Sequence, residues 1–168
     1  TYDKYAKNKS NCPDMKEVCA MAKIVFVCLP TPMKRDGSCD LSILESVIYE
    51  IDEYNLDNIA VIKSTIPPGT TTAFNENCKN IQVVFNPEFL TEANYIDDFK
   101  NQNRIIIGGP RPASTIVKNM FTKVFQEVPI IKTGSSTAES VKYFINTFLA
   151  TKVSFANEFK QICDQTDV

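Results

Sequence analysis

Five short runs of β-branched and other apolar residues recur along this 168-residue chain and constrain its fold more than any other feature. They lie at residues 24–29, 59–62, 83–85, 105–107 and 129–131. Runs this continuously apolar predict strands that are buried on both faces. Because segments with helical spacing separate them, the βαβ unit repeats, and we predict an α/β fold with a doubly wound parallel sheet.

Two of the predicted helices carry capping signals. Either Asp40 or Ser42 can begin the first of these helices, since Glu45 stands at capping-box spacing after Ser42. The last helix follows Ser136-x-x-Glu139, which has the same spacing, and residues 138–163 contain no Pro or Gly. At about 26 residues and 1.5 Å per residue it would be about 40 Å long. A helix longer than one sheet layer requires is expected to pack against another part of the protein or another subunit.

The composition argues against two classes of binding partner, nucleic acids and membranes. The hydrophobic content of 43% suits an ordinary globular domain, and a net charge of -2 with a pI near 5.2 offers no basic surface for nucleic acid. No apolar stretch is long enough to cross a bilayer, and the first residues have no secretion pattern. We therefore expect a cytoplasmic protein that binds neither membranes nor nucleic acid.

The six cysteines include no Cys-x-x-Cys pair, and the chain has no histidine. This composition argues against a zinc site and excludes catalysis by a Ser-His-Asp triad or a Cys-His pair. Three disulfides are formally possible, but a chain of this size does not need them, and Cys28 falls in an apolar run where a thiol can pack as a small hydrophobe. Free thiols are the expected state.

Two groups of polar residues indicate a site. Glu88 and Glu92 follow the third apolar run, so they would lie at the carboxyl end of a strand, where open α/β sheets bind ligands. Lys142 and Asn146 stand one helical turn apart and can reach one oxygen, which would stabilise an oxyanion. On residues alone, solvated surface positions are the alternative for both groups.

A third group lies between the second apolar run and a rigid turn. Residues 63–70 read Lys-Ser-Thr-Ile-Pro-Pro-Gly-Thr, which places the hydroxyls of Ser64 and Thr65 at a strand end. Such hydroxyls can bind a ribose or hold a water molecule. The alternative is a turn in which Pro and Gly serve geometry alone.

These motifs occur in the order and spacing of a known family. The chain resembles the nucleotide-sugar 6-dehydrogenases, and most closely those that act on UDP-glucose, from about residue 24 to its end. The resemblance rests on residues 63–70, 86–92 (Asn-Pro-Glu-Phe-Leu-Thr-Glu), 104–109 and 139–150. It implies NAD-dependent oxidation of UDP-glucose to UDP-glucuronate, with two NAD reduced and a cysteine-bound thiohemiacetal and thioester on the way.

The resemblance assigns catalytic roles to four residues. Glu88 would be the general base that activates water, and Thr65 would order that water. Lys142 and Asn146 would hold the sugar oxygen. Substrate binding would involve Glu88 to Glu92 together with the two helix residues; the residues between the glutamates are Phe89, Leu90 and Thr91.

The resemblance also implies a path for the cofactor. The loop Leu29-Pro30-Thr31 would run along the dinucleotide, with Ser64 and Thr65 beside it. Glu92 would face the nicotinamide ribose. Asp3 would match the acidic residue that binds the adenosine ribose.

Two family features do not occur in the sequence. It has no Gly-x-Gly-x-x-Gly phosphate loop, and no Gly-rich segment with the nucleophilic cysteine follows the long helix, in which Cys163 occupies a structural position. We expect a partial NAD-binding domain at 1–134 and the start of a central helix at 135–168, which would form a homodimer. On its own the chain would be inactive. The alternatives are a β-hydroxyacid dehydrogenase of the 6-phosphogluconate type, which lacks the 86–92 motif, and a non-catalytic binding or dimerisation module.

Overall fold

Five strands lie side by side in the order in which they occur along the chain. The computed structural model describes residues 1–91 and 93–166. Its strands are β1 (Ile24–Val27), β2 (Ile59–Ile62), β3 (Gln82–Phe85), β4 (Ile105–Gly108) and β5 (Ile130–Thr133). Each coincides with one of the five predicted runs to within two residues at either end, so the apolar runs located the strands correctly.

The sheet is mostly parallel, but it changes direction once. β1, β2 and β3 are mutually parallel, β4 and β5 are parallel to each other, and β3 meets β4 in an antiparallel pairing at Phe85 and Gly108. An entirely parallel sheet was expected. The connection between β3 and β4 contains one short helix, α4 (Tyr95–Lys100). The antiparallel pairing joins the last residue of each strand, so β3 and β4 meet at their carboxyl ends.

Helices cover both faces, as a doubly wound sheet requires. Besides α4 and a 3-10 turn at Lys7–Lys9, they are α1 (Met15–Met21), α2 (Ser42–Glu53), α3 (Thr70–Asn77), α5 (Ala113–Val124) and α6 (Ser135–Thr166). One face of the sheet packs against α1, α2, α3 and the start of α6, and the other packs against α5. The buried residues form two clusters, one on each side of the strands.

Strand β1 departs from the predicted burial on both faces. Val25 and Val27 are buried, whereas Phe26 between them is 43% exposed and its ring meets Phe121 edge-on. Among the described residues β1 pairs with β2 alone, so it forms one edge of the sheet. The central strands β2 and β4 are buried at every position, as predicted.

Helix α2 begins at Ser42, and Leu41 before it is the N-cap residue, without a capping hydrogen bond from its side chain. The Asp40 carboxylate accepts a hydrogen bond from the Ser42 backbone N–H at 3.0 Å. Ser42 is therefore the first helical residue and not the cap, so the capping box predicted for Ser42 and Glu45 is wrong, and Asp40 contacts the helix start from outside it.

Helix α6 has 32 residues, more than the 26 predicted, and is about 48 Å long. Ala138 and Glu139 are its buried residues, and Ala138 packs where Gly108 leaves room: a Cβ at Gly108 would stand 2.6 Å from the Ala138 Cβ. Further along, α6 carries exposed apolar residues, among them the stacked pair Phe144 and Phe148. Within the described ranges, no helix combines the length and the apolar character that a membrane span needs.

Candidate active site

Three loops meet at the carboxyl ends of β1, β2 and β3. Thr31 follows β1, Thr65 follows β2 and Glu88 follows β3, so the parallel strands bring all three to one rim. The Thr31 hydroxyl donates a hydrogen bond to the Thr65 carbonyl at 2.8 Å. The expected common rim is therefore present.

Ser64 joins the first two of these loops. Its hydroxyl donates to the Leu29 carbonyl at 2.6 Å and accepts from the Leu29 backbone N–H at 3.0 Å. The next residue, Pro30, is exposed. Ser64 thus fixes the path of the loop that the sequence predicts along the dinucleotide, and its own contact with the cofactor stays a prediction.

Lys63 and Asn86 connect the second and third loops. The Lys63 Nζ donates to Asn86 Oδ1 at 2.9 Å and lies 3.9 Å from the nearer Glu88 carboxylate oxygen. The Asn86 amide in turn donates to the Ile106 carbonyl at 2.7 Å, so residues 86–89 run beside β4. Sequence reasoning gave neither residue a role, although Lys63 stands at the strand end directly before Ser64.

Burial shapes the acid–base properties of this rim. Removal from water lowers the pKa of the Lys63 amine, and the Glu88 carboxylate acts in the opposite direction. The pKa of the Cys28 thiol is raised, first by desolvation, and Lys63 opposes that shift. Cys28 lies just past β1 and is exposed, so the prediction that it packs inside a strand is wrong.

Lys142 reaches this rim from α6. Its Nζ donates to the Glu88 backbone carbonyl at 2.6 Å and lies 5.6 Å from the centre of the Phe89 ring, while the Arg104 guanidinium lies 4.8 Å from the same ring. Desolvation lowers the pKa of Lys142, and the Glu88 charge opposes this. Asn146 is exposed one turn further along, and the described part of the chain gives its side chain no hydrogen bond.

The predicted substrate loop borders an open cavity of about 340 Å³. Phe89, Thr91, Asp98 and Arg104 are among the residues that line it. Thr91 donates to the Asp98 carboxylate through its hydroxyl at 2.6 Å and its backbone N–H at 2.8 Å, which lowers the pKa of Asp98. Leu90 is half-buried beside Thr91. Glu92, predicted to face the nicotinamide ribose, lies outside the described residues.

A second cavity of about 230 Å³ lies between the loops after β1 and β2. Thr31, Cys39, Thr65 and Tyr143 line it with neighbouring loop residues. The pKa of the Tyr143 hydroxyl is raised, mainly by desolvation and further by Cys39. This cavity is below the range of about 300–1,000 Å³ typical of whole-ligand sites, so it can hold only part of a dinucleotide. Sequence reasoning missed Tyr143, although it directly follows Lys142.

Asp3 belongs to a local turn at the amino end. Its carboxylate accepts hydrogen bonds from the backbone N–H groups of Tyr5 and Ala6, both at 2.9 Å, and these bonds lower the pKa of Asp3. The predicted contact with the adenosine ribose stays a prediction. All six cysteines are free thiols, and the described ranges hold no cluster of three or more residues that could ligate a metal.

Glu139 does not cap its own helix. α6 begins at Ser135, and the carboxylate of Glu139 instead accepts hydrogen bonds from the backbone N–H groups of Gly69 at 2.6 Å and Thr71 at 2.8 Å. The capping box predicted with Ser136 is therefore wrong. The side chain turns away from its own first turn because the amino end of α3 offers two unpaired donors nearby.

A family model accounts for most of this chain. Residues 4–128 match the NAD binding domain of the UDP-glucose/GDP-mannose dehydrogenase family, and residues 136–168 match its central domain. The chain belongs to that family. NAD is accordingly the cofactor of its sheet domain, and the Rossmann-like fold agrees with solved dehydrogenases of this family.

Individual relatives act on different sugars. The putative UDP-glucose 6-dehydrogenase YtcA of Bacillus subtilis is 35% identical, over 96% of this chain and 40% of its own length. A UDP-glucose dehydrogenase from Pyrobaculum islandicum matches with a TM-score of 0.78 and 33% identity, over 88% of this chain and 37% of that one. A UDP-D-ManNAc dehydrogenase from Pyrococcus horikoshii matches with a TM-score of 0.80 and 29% identity, over 92% of this chain and 39% of that one. The chain thus spans 40% or less of the length of each of these relatives.

Proposed function

We propose that the whole protein to which this chain belongs oxidises UDP-glucose to UDP-glucuronate with two NAD. The observation that carries the proposal is the contact of the Lys142 amine with the Glu88 loop across 54 residues of sequence. It brings a cation from α6 and a carboxylate from the loop after β3 to one rim, where a sugar hydroxyl could be deprotonated and its oxygen held.

Each residue of the rim has a task in this proposal. Glu88 is 44% exposed in its side chain and can take a proton from a water molecule that Thr65 orders. Lys142, freed from the Glu88 carbonyl, donates to the sugar oxygen together with Asn146. The four-electron oxidation follows the chemistry of the family, in which a cysteine thioester is hydrolysed in the last step.

The cofactor fits one part of this rim. Thr31 and Thr65 line a cavity large enough for one end of a dinucleotide, and Leu29, Pro30 and Ser64 form its approach. When bound, NAD supplies the hydride acceptor. The chain contains no glycine loop for the pyrophosphate, so Ser64 and the two threonines would hold only the nicotinamide side.

The charges on the rim support an anionic substrate. Two ammonium groups contact Glu88: Lys63 lies 3.9 Å from its carboxylate, and Lys142 binds its carbonyl. A phosphate of the nucleotide sugar next to Lys63 and Lys142 would balance the charge that one carboxylate leaves over. Phe89, Leu90 and Thr91 would contact the rest of the substrate. Glu92 would complete the sugar and ribose contacts.

The exposed apolar side of α6 supports a homodimer. Phe144, Phe148, Phe155 and Phe159 are each more than half exposed and stack in two pairs along the helix. A second copy could cover them, since most of a helix this long lies beyond the sheet. In this proposal 1–134 is the cofactor domain, 135–168 begins the dimerising helix, and the enzyme is cytoplasmic and provides UDP-glucuronate for polysaccharide synthesis.

The direct test is turnover of the purified whole protein with NAD and a panel of nucleotide sugars. We expect two NADH per UDP-glucuronate formed, and slower turnover of GDP-mannose and UDP-N-acetylmannosamine. If one of these sugars yields NADH and UDP-glucose yields none, that sugar takes the place of UDP-glucose as the substrate. One NADH per product, or none with any sugar, would contradict the proposed reaction.

A further inference from the structure

Glu139 is the only charged side chain among the fully buried residues of the described structure. Its exposed fraction is 0%, yet it stands on α6 one turn before Lys142. A buried polar side chain is costly unless it is hydrogen-bonded, and Glu139 has two hydrogen bonds. They come from the backbone of Gly69 and Thr71 at the amino end of α3.

These bonds join segments that are distant in the sequence. They span 70 and 68 residues, and the donors are N–H groups that α3 itself leaves unpaired. The positive end of the α3 dipole adds to the attraction. The carboxylate therefore clamps α6 to α3.

The clamp lies between the parts of the candidate site. On the α6 side, Glu139 and Lys142 are three residues apart and so neighbours on one helix face. On the α3 side, the loop that carries Thr65 runs directly into Gly69. The first turn of α6 also contacts the sheet directly, where Ala138 packs against Gly108. The position of the Lys142 amine thus depends on two contacts, of which Glu139 is the polar one.

We propose that Glu139 is a positioning residue: its clamp sets where the Lys142 ammonium stands relative to Thr65 and Glu88. The inference rests on the proposed function, because it concerns the geometry of that reaction. Glu139 itself does not touch the substrate. The proposal is that its effect on turnover passes through Lys142, and the loss of that effect when Lys142 is absent would separate positioning from a merely stabilising role.

The test uses Glu139→Gln in the whole protein. Gln keeps the shape but can accept only one of the two hydrogen bonds through its carbonyl and loses the charge. We expect kcat to fall by about ten- to a hundredfold, the range for a small misplacement of a catalytic group. In the background of Lys142→Ala, the same substitution should cause no further loss, since the group that it positions is gone.

Two controls separate positioning from stability. Val117→Ala creates a cavity on the α5 face of the sheet and should lower the melting temperature while kcat stays at the wild-type value. Asp14→Ala removes a helix cap remote from the rim, where Asp14 accepts from the Glu17 N–H at 2.9 Å, and should lower stability while leaving kcat unchanged. Glu139→Asp keeps the charge on a shorter side chain, so it provides a second variant if Glu139→Gln does not fold.

The outcomes are distinct. A lower kcat for the folded variants of Glu139, without further loss beside Lys142→Ala, supports the inference. Wild-type kcat in those variants, or losses that multiply in the double variant, would overturn it, and so would failure of both variants to show a cooperative melting transition. Absence of turnover in the wild-type protein with every nucleotide sugar is a different result, which would overturn the proposed function and this inference with it.

Discussion

The Lys142 ammonium donates a hydrogen bond of 2.6 Å to the backbone carbonyl of Glu88, although 54 residues separate them. The bond goes to the main chain, so the Glu88 carboxylate is left to the Lys63 amine 3.9 Å away. A cation on a helix and a carboxylate on a loop are thereby held side by side. The contact also gives the amine a partner that a substrate oxygen can replace.

Replacing Lys142 by Ala should depress turnover of the whole protein far more than substrate binding. Its charge is opposed mainly by the oxyanion that forms in the transition state, and losing one such donor costs about 3 kcal/mol, or a hundredfold or more in kcat. Steady-state kinetics with UDP-glucose would measure this. Lys123→Ala, an exposed lysine in α5 on the other face of the sheet, is the control and should behave as wild type. An unchanged kcat for Lys142→Ala would remove Lys142 from the mechanism.

The pH dependence of kcat/KM, which reports groups of the free enzyme, should show an alkaline limb that belongs to Lys142. The ammonium is the active form, and because burial lowers its pKa below the ordinary 10.5, activity should be lost as pH rises at a pH below that value. Lys142→Arg keeps the charge at high pH, since arginine does not titrate there. The variant should be slower at neutral pH but lack this limb. An alkaline limb that persists in the Arg variant would assign it to another group.

Glu88→Gln should stall the last step of the reaction. Hydrolysis of a thioester needs a water molecule that is deprotonated as it attacks, and a carboxylate does this while an amide of nearly the same shape does not. A covalent sugar adduct should therefore accumulate in the whole protein mixed with UDP-glucose and NAD, and intact-protein mass spectrometry would detect the added mass. Glu53→Gln, at the far end of α2, should give no adduct. Normal product formation without an adduct would show that the loop serves binding alone.

Gly108→Ala should destabilise the protein and disturb the packing of the first turn of α6 against the sheet. The new Cβ would lie 2.6 Å from the Ala138 Cβ and 3.1 Å from the Gly134 carbonyl, so the helix must shift. Overpacking of this kind costs about 1–3 kcal/mol of unfolding free energy, measurable by chemical denaturation. Gly134→Ala, where the nearest atom is 3.9 Å away, is the control and should cost less than about 1 kcal/mol. Equal losses in the two variants would show that close packing at Gly108 is not the cause.

NAD should bind the isolated 168-residue chain weakly or not at all. The pyrophosphate is normally held by the backbone amides of a glycine loop, and this sequence contains no such loop. Titration calorimetry of the chain beside the whole protein would compare the two affinities. Tight binding to the isolated chain would mean that Thr31, Ser64 and Thr65 hold the dinucleotide without that loop.

The strands and the common rim could be predicted because both follow from local pattern. Apolar runs fixed β1 to β5 to within two residues, and the strand-end rule placed Thr31, Thr65 and Glu88 together. The direction of β4 could not be derived in the same way, because an apolar run marks where a strand lies and not which way it runs beside its neighbour. The direction is set by the path of the connection.

Hydrogen bonds between residues distant in the sequence were the other feature that the sequence did not predict. Glu139 stands at capping-box spacing after Ser136, so its local pattern is correct, but its carboxylate binds donors about 70 residues away. Lys63 and Asn86 likewise meet only because β2 and β3 are neighbours. A single sequence shows which groups can form hydrogen bonds, whereas the tertiary arrangement decides which partner each one takes.

The open edge of β1 has a consequence for handling the protein. On the side away from β2, the main-chain N–H and C=O groups of Ile24–Val27 have no strand beside them within the described residues, and the ring of Phe26 adds an apolar surface. An uncovered apolar edge is a template on which another strand can add. Unless another strand or an added charge blocks β1, concentrated solutions of the isolated chain are expected to aggregate edge to edge.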